Sequence, residues 1–143
     1  MTKAISRRSL NGVRVGVVGA AGFIGKALSS KLLAEGATVD RYDKIPSTGV
    51  DKIYPIDLDD PASMEIIKPC DLLINLAAEH RDDVTDISRY YAVNVKGAQR
   101  LCQIAEARQI ANLLFFSSSA VYGDSADLPY NPKLGKRLSP YGE

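Results

Sequence analysis

The chain has 143 residues, 45% hydrophobic and 24% charged, and its 18 basic against 17 acidic side chains leave a net charge of +1. That length points to one compact domain around a single core. The near-neutral balance excludes an electrostatically driven nucleic-acid binder, because neutralising phosphates needs a surplus of positive charge.

The chain opens with "SRRSLNG" at 6–12, which has the look of a twin-arginine export signal. Arg14 and Lys26 interrupt the apolar run that follows, however, and that run carries the best-defined motif of the chain. Residues 1–12 are therefore read as a polar extension. No apolar run reaches the ~18 residues of a membrane span, so no span is expected and the compartment is expected to be the cytoplasm. "VRVGVVG" (13–19) is a β-branched run suited to a buried parallel strand. Residues 22–35 place Phe23, Ile24, Ala27, Leu28 and Leu32 at helical spacing, with Gly36 as the stop. "ATVDRYD" (37–43) and "KIYPID" (52–57) are the second and third strands, and "PASMEIIK" (61–68) is a short helix opened by Pro61. "DLLINLAA" (71–78) is a strongly apolar fourth strand.

A long helix is predicted over 86–108, with Ala98, Leu101, Cys102 and Ala105 on its buried face, and "NLLFFSSS" (112–119) is the fifth strand. From Val121 onward the chain is rich in Gly, Pro, Asp and Ser without periodicity, and 123–143 read as loop. Strands alternating with helices predict an α/β domain over 13–122, a Rossmann-like doubly wound parallel sheet of about five strands. Cys70 and Cys102 lie far apart in no metal-type spacing and read as reduced, mostly buried thiols. With His80 the sole histidine, a His-rich metal site is excluded.

"GAAGFIG" puts glycines at 19, 22 and 25 between the first strand and the first helix. Gly19 permits a tight turn, Gly22 lets backbone approach a pyrophosphate, and Gly25 allows close helix packing. The helix start then offers unpaired N–H groups and a partial positive charge to phosphates. Asp43 ends the next strand, near the ~20-residue separation expected of an acid that binds ribose hydroxyls. A carboxylate there repels a 2′-phosphate, so NAD is favoured over NADP. Lys44 and Arg41 beside it keep NADP open, since a flanking cation can accommodate that phosphate.

These features make the chain resemble the extended short-chain dehydrogenase/reductases, the nucleotide-sugar epimerase and dehydratase family. "GAAGFIG" matches the family's GxxGxxG, "NLAA" (75–78) the strand end that lines the cofactor, and "NVKG" (94–97) the Asn-Val-x-Gly of its central helix. "SSSAVYG" (117–123) matches the segment with the catalytic Ser or Thr, and "SPYGE" (139–143) the start of a Tyr-x-x-x-Lys motif. The resemblance implies a cofactor site made by Gly19, Gly22, Phe23, Ile24 and Gly25, by Asp43 and Lys44, and by Leu76, Ala77, Ala78 and Ser117. It also implies that Asp57, with Leu58, binds the adenine amino group, although Asp57 also reads as the cap of the following turn. Asn75 and Asn94 read as structural first, bonding backbone and orienting the helix, and His80 as a solvated residue.

The same resemblance implies a reaction in which Tyr141 moves a proton at a sugar hydroxyl while nicotinamide takes or gives hydride. Ser118, with Ser119 in reserve, would hold the substrate oxygen. A free Tyr has a pKa of ~10, so the motif needs its Lys to favour the phenolate. That Lys would stand at position 145, two past Glu143. The expectation is therefore the cofactor-binding part of a longer enzyme, catalytically inactive by itself, whose substrate region is absent. The full-length protein would act on a nucleotide-sugar or another activated sugar, as a homodimer. Ser119 and Ala120 stand where dehydratases of the family carry Asp-Glu, which favours an epimerase working through a 4-keto sugar. An NAD(P)-dependent sugar reductase or dehydrogenase, a dehydratase, and a non-catalytic dinucleotide-binding module are the alternatives.

Overall fold

The computed structural model describes residues 9–46, 52–81 and 86–122. Five parallel strands form one sheet in the order β3-β2-β1-β4-β5: β1 (Arg14–Val18), β2 (Thr38–Asp43), β3 (Ile53–Pro55), β4 (Leu72–Asn75) and β5 (Leu113–Phe115). Helix α1 (Phe23–Ala34) joins β1 to β2, and a 3-10 helix (Pro61–Ile66) lies between β3 and β4. A continuous helical stretch joins β4 to β5: α2 (Ser88–Tyr90), a π-helical segment (Tyr91–Lys96) and α3 (Gly97–Ala107). This is the doubly wound parallel sheet that alternation of strand and helix predicts.

β1 shows why both faces of the sheet are covered. Side chains alternate across a strand, so Val15 and Val17 pack with Ala37 and Ile74 toward α1, while Val18 joins Tyr42, Leu73 and Leu101 toward α3. Leu73, Met64 and Leu101 are fully buried, and each such side chain contributes roughly 1.5–3 kcal/mol. Gly16 sits in the crowded face, where a Cβ would come 2.8 Å from Leu73 Cδ1.

The apolar residues that stand at helical spacing in α1 do not all face the core. Gly25 and Ser29 are its buried residues, Leu28 and Leu32 pack partly against the core, and Phe23 is 93% exposed, with Ile24 and Ala27 also facing solvent. The reason is the close seat of Gly25 on the preceding turn, which makes 25, 28, 29 and 32 the inner face. Phe23, two residues earlier, is then about 200° round the helix. At the other end Gly36 has φ of 94° and its N–H reaches Leu33 O at 3.0 Å, the left-handed stop expected of it.

Cys102 is also misplaced by the sequence reading: it is exposed, Cys70 is half-buried, and Ile104 instead joins Leu101 and Ala105 inside. The strands are shorter than predicted, because pairing ends with β4: Asn75 opposite Phe115 is the last β4–β5 pair. Ser119–Tyr122 form a 3-10 turn rather than the end of a strand. The segment 123–143, read as loop, and Tyr141 within it lie outside the described residues.

Candidate functional site

The carboxyl ends of β1, β2 and β4 open into a cleft of about 480 Å³. Its floor is the turn between β1 and α1. Gly19 has φ of 85°, and a Cβ there would meet Ala77 N at 2.7 Å, so only glycine lets this turn press against the end of β4. The N–H groups of Gly19 and Ala20 both donate to Tyr42 O, at 2.9 and 3.1 Å, hooking the turn onto β2. Gly25 sits so close to Gly19 and Ala20 that a Cβ would fall on their backbone, whereas at Gly22 it would touch only Gly19 O, at 3.3 Å. Gly22 is the N-cap of α1 and lines the cleft; no side chain caps the helix there, and the Gly22 N–H donates to Gly19 O at 3.3 Å.

Asp43, at the tip of β2, ties the turn to the next loop. Its Oδ2 accepts the Ala21 N–H at 2.8 Å and its Oδ1 the Ile45 N–H at 3.0 Å. Lys44 reaches across to Asp57, Nζ to Oδ2 at 2.6 Å. Oδ1 of Asp57 accepts the Asp59 N–H at 3.1 Å, and its backbone is bound by Ser63, so the capping reading of Asp57 holds while the residue also lines the cleft. Burial alone would raise its carboxyl, but the hydrogen bond and charge of Lys44 and the Asp59 N–H outweigh it and hold the group below the usual carboxylate value.

The opposite wall follows β4. Leu76, Ala77 and Ala78 line it as expected, and then come Glu79, His80 and Arg81. Asn75 Oδ1 accepts the Ala77 N–H at 3.1 Å, and Asn94 brackets Glu79, accepting its N–H at 2.8 Å and donating to its carbonyl at 2.9 Å. Both asparagines thus hold backbone, as their structural reading has it. The π-helical segment carries Asn94 to this contact; such segments frequently sit at functional sites. Glu79 is buried, with Arg89 Nε 2.7 Å from Oε2 and Arg81 Nε 3.4 Å from Oε1. Burial would raise its carboxyl, yet the hydrogen bonds from Arg81 and the charges of Arg81 and Arg89 bring it below the ordinary value.

Of the residues picked from sequence, the cleft gathers Gly19, Gly22, Asp43, Lys44, Asp57, Leu58, Leu76, Ala77 and Ala78. Gly25 lies beneath the turn, and the side chains of Phe23 and Ile24 face solvent at the start of α1. Ser117 is exposed after β5, and Ser118, whose Oγ accepts the Ala120 N–H at 3.2 Å, opens the last turn; neither lines the cleft. Sequence reasoning missed Ala21, Ile45, Glu79, Arg81, Arg89 and Val93. A charged pair in "AEHR" directly after an apolar strand end was the available signal for Glu79 and Arg81; nothing local marks Arg89.

A glycine turn at a strand-to-helix junction, an acid at the tip of β2 and a cleft at the carboxyl ends of a parallel sheet define a dinucleotide-binding class of site. The profile of the NAD dependent epimerase/dehydratase family matches residues 15–143, and the chain belongs to that family. It is 37% identical over 109 residues to N-acetyl-alpha-D-glucosaminyl-diphospho-ditrans,octacis-undecaprenol 4-epimerase of Escherichia coli O157:H7, covering 75% of this chain and 33% of that protein. Against dTDP-L-rhamnose 4-epimerase of Burkholderia thailandensis the identity is 31% over 136 residues, covering 82% and 38%. The crystal structure of UDP-glucose 4-epimerase from Brucella ovis in complex with NAD superposes with a TM-score of 0.75 at 31% identity, over 92% of this chain and 44% of that one. The chain thus spans between a third and two-fifths of these curated relatives. Among the described residues no helix is long and apolar enough to cross a membrane.

Proposed function

We propose that this chain is the NAD-binding part of a nucleotide-sugar epimerase that works through a 4-keto sugar. The observation that carries the reading is Asp43. Its two oxygens are oriented by Ala21 and Ile45 N–H groups, and each keeps a lone pair for a ribose hydroxyl beside the glycine floor. The missing Cβ at Gly22 and the start of α1, which no side chain caps, suit the pyrophosphate. Asp57 and Leu58 suit the adenine, and Ala77 and Ala78 the wall that follows.

NAD is preferred to NADP in this reading, because Asp43 repels a 2′-phosphate and the adjacent cation, Lys44, is already paired with Asp57. Calorimetry with both cofactors tests it. Tighter binding of NAD is expected, and Asp43→Asn should narrow the gap by removing the charge and one acceptor. Equal or tighter NADP binding by the unaltered chain overturns the assignment.

The bound nicotinamide would take and return a hydride. In the full-length protein Tyr141 moves the proton at the sugar hydroxyl, with Ser118 holding the oxygen as it changes between alkoxide and ketone. A parent sequence without Lys at position 145 overturns the enzymatic reading, because nothing else in the motif favours the phenolate. The full-length protein is a cytoplasmic homodimer in this reading, and the 143-residue chain is catalytically silent. Turnover of a UDP-sugar by this chain above a Tyr141→Phe control would contradict that silence. For the full-length protein, the epimerase reading expects sugar interconversion without net reduced cofactor. Stoichiometric NADH would indicate a reductase or dehydrogenase instead.

A further inference from the structure

Glu79 is the charged residue of the buried set among the described residues, 7% exposed, and the function proposed above gives it no task. A carboxylate withdrawn from water has to be paired, or it is held at a large penalty. Here it is held on every side. Arg89 Nε meets Oε2 at 2.7 Å and Arg81 Nε meets Oε1 at 3.4 Å. Asn94 brackets its backbone, and the buried Tyr90 hydroxyl donates to Arg81 O at 2.5 Å. The strand-end loop and the helical stretch are thereby joined into one rigid wall. A guanidinium that only solubilises the surface needs no such mounting.

Arg89 lines the same cleft as Asp57, Leu58 and Val93. Its side-chain contact among the described residues is through Nε, which leaves the four Nη N–H bonds as donors. Arg89 also acts on Asp57, contributing to the depression of its carboxyl. The cleft therefore presents a carboxylate acceptor and a fixed guanidinium donor, and Leu58 and Val93 add apolar surface to its lining. Adenine has the matching edge, an amino donor at C6 flanked by acceptor nitrogens N7 and N1.

We propose that Arg89, oriented by Glu79, is the donor half of a base-reading pair whose acceptor half is Asp57, the two selecting adenine by its 6-amino group and an adjacent ring nitrogen. Arg89 is then a specificity-determining residue and Glu79 a positioning residue. The proposal rests on the NAD reading given above and adds to it the residues that recognise the base.

Calorimetric titration of the 143-residue chain with NAD and with its 7-deaza and 1-deaza adenine analogues tests this. The unaltered chain should bind one deaza analogue about tenfold more weakly than NAD, the usual size of a hydrogen bond to a charged group. In Arg89→Met that gap should close, with NAD falling to the level of the weak analogue. Glu79→Gln should narrow the gap without a change of charge at Arg89. If Arg89→Met leaves Glu79 unpaired and fails to fold, Arg89→Lys keeps a cation beside the carboxylate but loses the planar fork, and the gap should still shrink. Equal binding of NAD and both deaza analogues by the unaltered chain overturns the proposal, as does a gap that persists in the folded Arg89 variant. Absence of any NAD binding overturns the NAD reading itself, and this proposal falls with it.

Discussion

A Cβ at position 25 would fall on the Gly19 carbonyl oxygen and lie 2.7 Å from Ala20 Cα, so Gly25→Ala must push α1 away from its turn. Overpacking of this kind costs about 1–3 kcal/mol, and the variant should show a lower urea midpoint with an unchanged slope. At Gly22 the added Cβ would touch only Gly19 O, at 3.3 Å, and the backbone there is extended at φ −68°. Gly22→Ala should therefore unfold within about 0.5 kcal/mol of the unaltered chain while losing NAD affinity, since its methyl would occupy the phosphate side of the turn. The two measurements together separate a glycine needed by the fold from one needed by a ligand. A Gly22→Ala chain that binds NAD as before would argue against phosphates at this helix start.

At the scale of elements, α3 and the π-helical segment do different work. Leu101 is fully buried on α3, whereas Cys102, next to it, is exposed. Leu101→Ala should cost about 2–5 kcal/mol in urea unfolding, and Cys102→Ala no more than about 0.5 kcal/mol. The π-helical segment fastens a loop instead of filling a core. Asn94→Asp keeps the acceptor for Glu79 N–H but sets a second acceptor against Glu79 O, so a loss of about 1–3 kcal/mol is expected. The Glu79 pairing adds a pH dependence. Its folded carboxyl lies below the ordinary Glu value of 4.5, so the unfolded chain binds the proton first as pH falls. Stability is then full above that value and declines as pH drops through it toward the depressed one. Glu79→Gln should flatten this acid limb relative to the unaltered chain in pH-dependent thermal unfolding; an acid limb of unchanged steepness would mean that other carboxylates carry it.

At the scale of the whole molecule, the sheet order among the described residues places β5 at an edge, and Leu114, Phe115 and Phe116 there are 41–51% exposed. An apolar edge strand with free backbone groups is a template for pairing with another chain. The 143-residue protein should therefore show a mass that rises with concentration in sedimentation, and Leu114→Lys should lower it by placing a charge on that edge. Concentration-independent monomers would show the edge to be covered.

The order of strands and helices, the glycine turn and the acid at the tip of β2 were legible in the sequence because each is local. Alternation of two, helical spacing and the chemistry of glycine are set by neighbours a few residues apart. The parallel sheet follows from that alternation, and the family match extends over residues 15–143. What the tertiary structure decided depends on partners far apart in the chain. The inner face of α1 was not legible because Gly25, without a side chain, gives no signal in a hydrophobic pattern yet sits tightest against the preceding turn. Cys102 was misplaced because the rotation of α3 is set by Leu58 packing on Gly97, 39 residues away. The Lys44–Asp57 and Glu79–Arg89 pairs join side chains that the sequence separates by loops. Only the folding of β2, β3, β4 and α2 onto one end of the sheet brings those charges together.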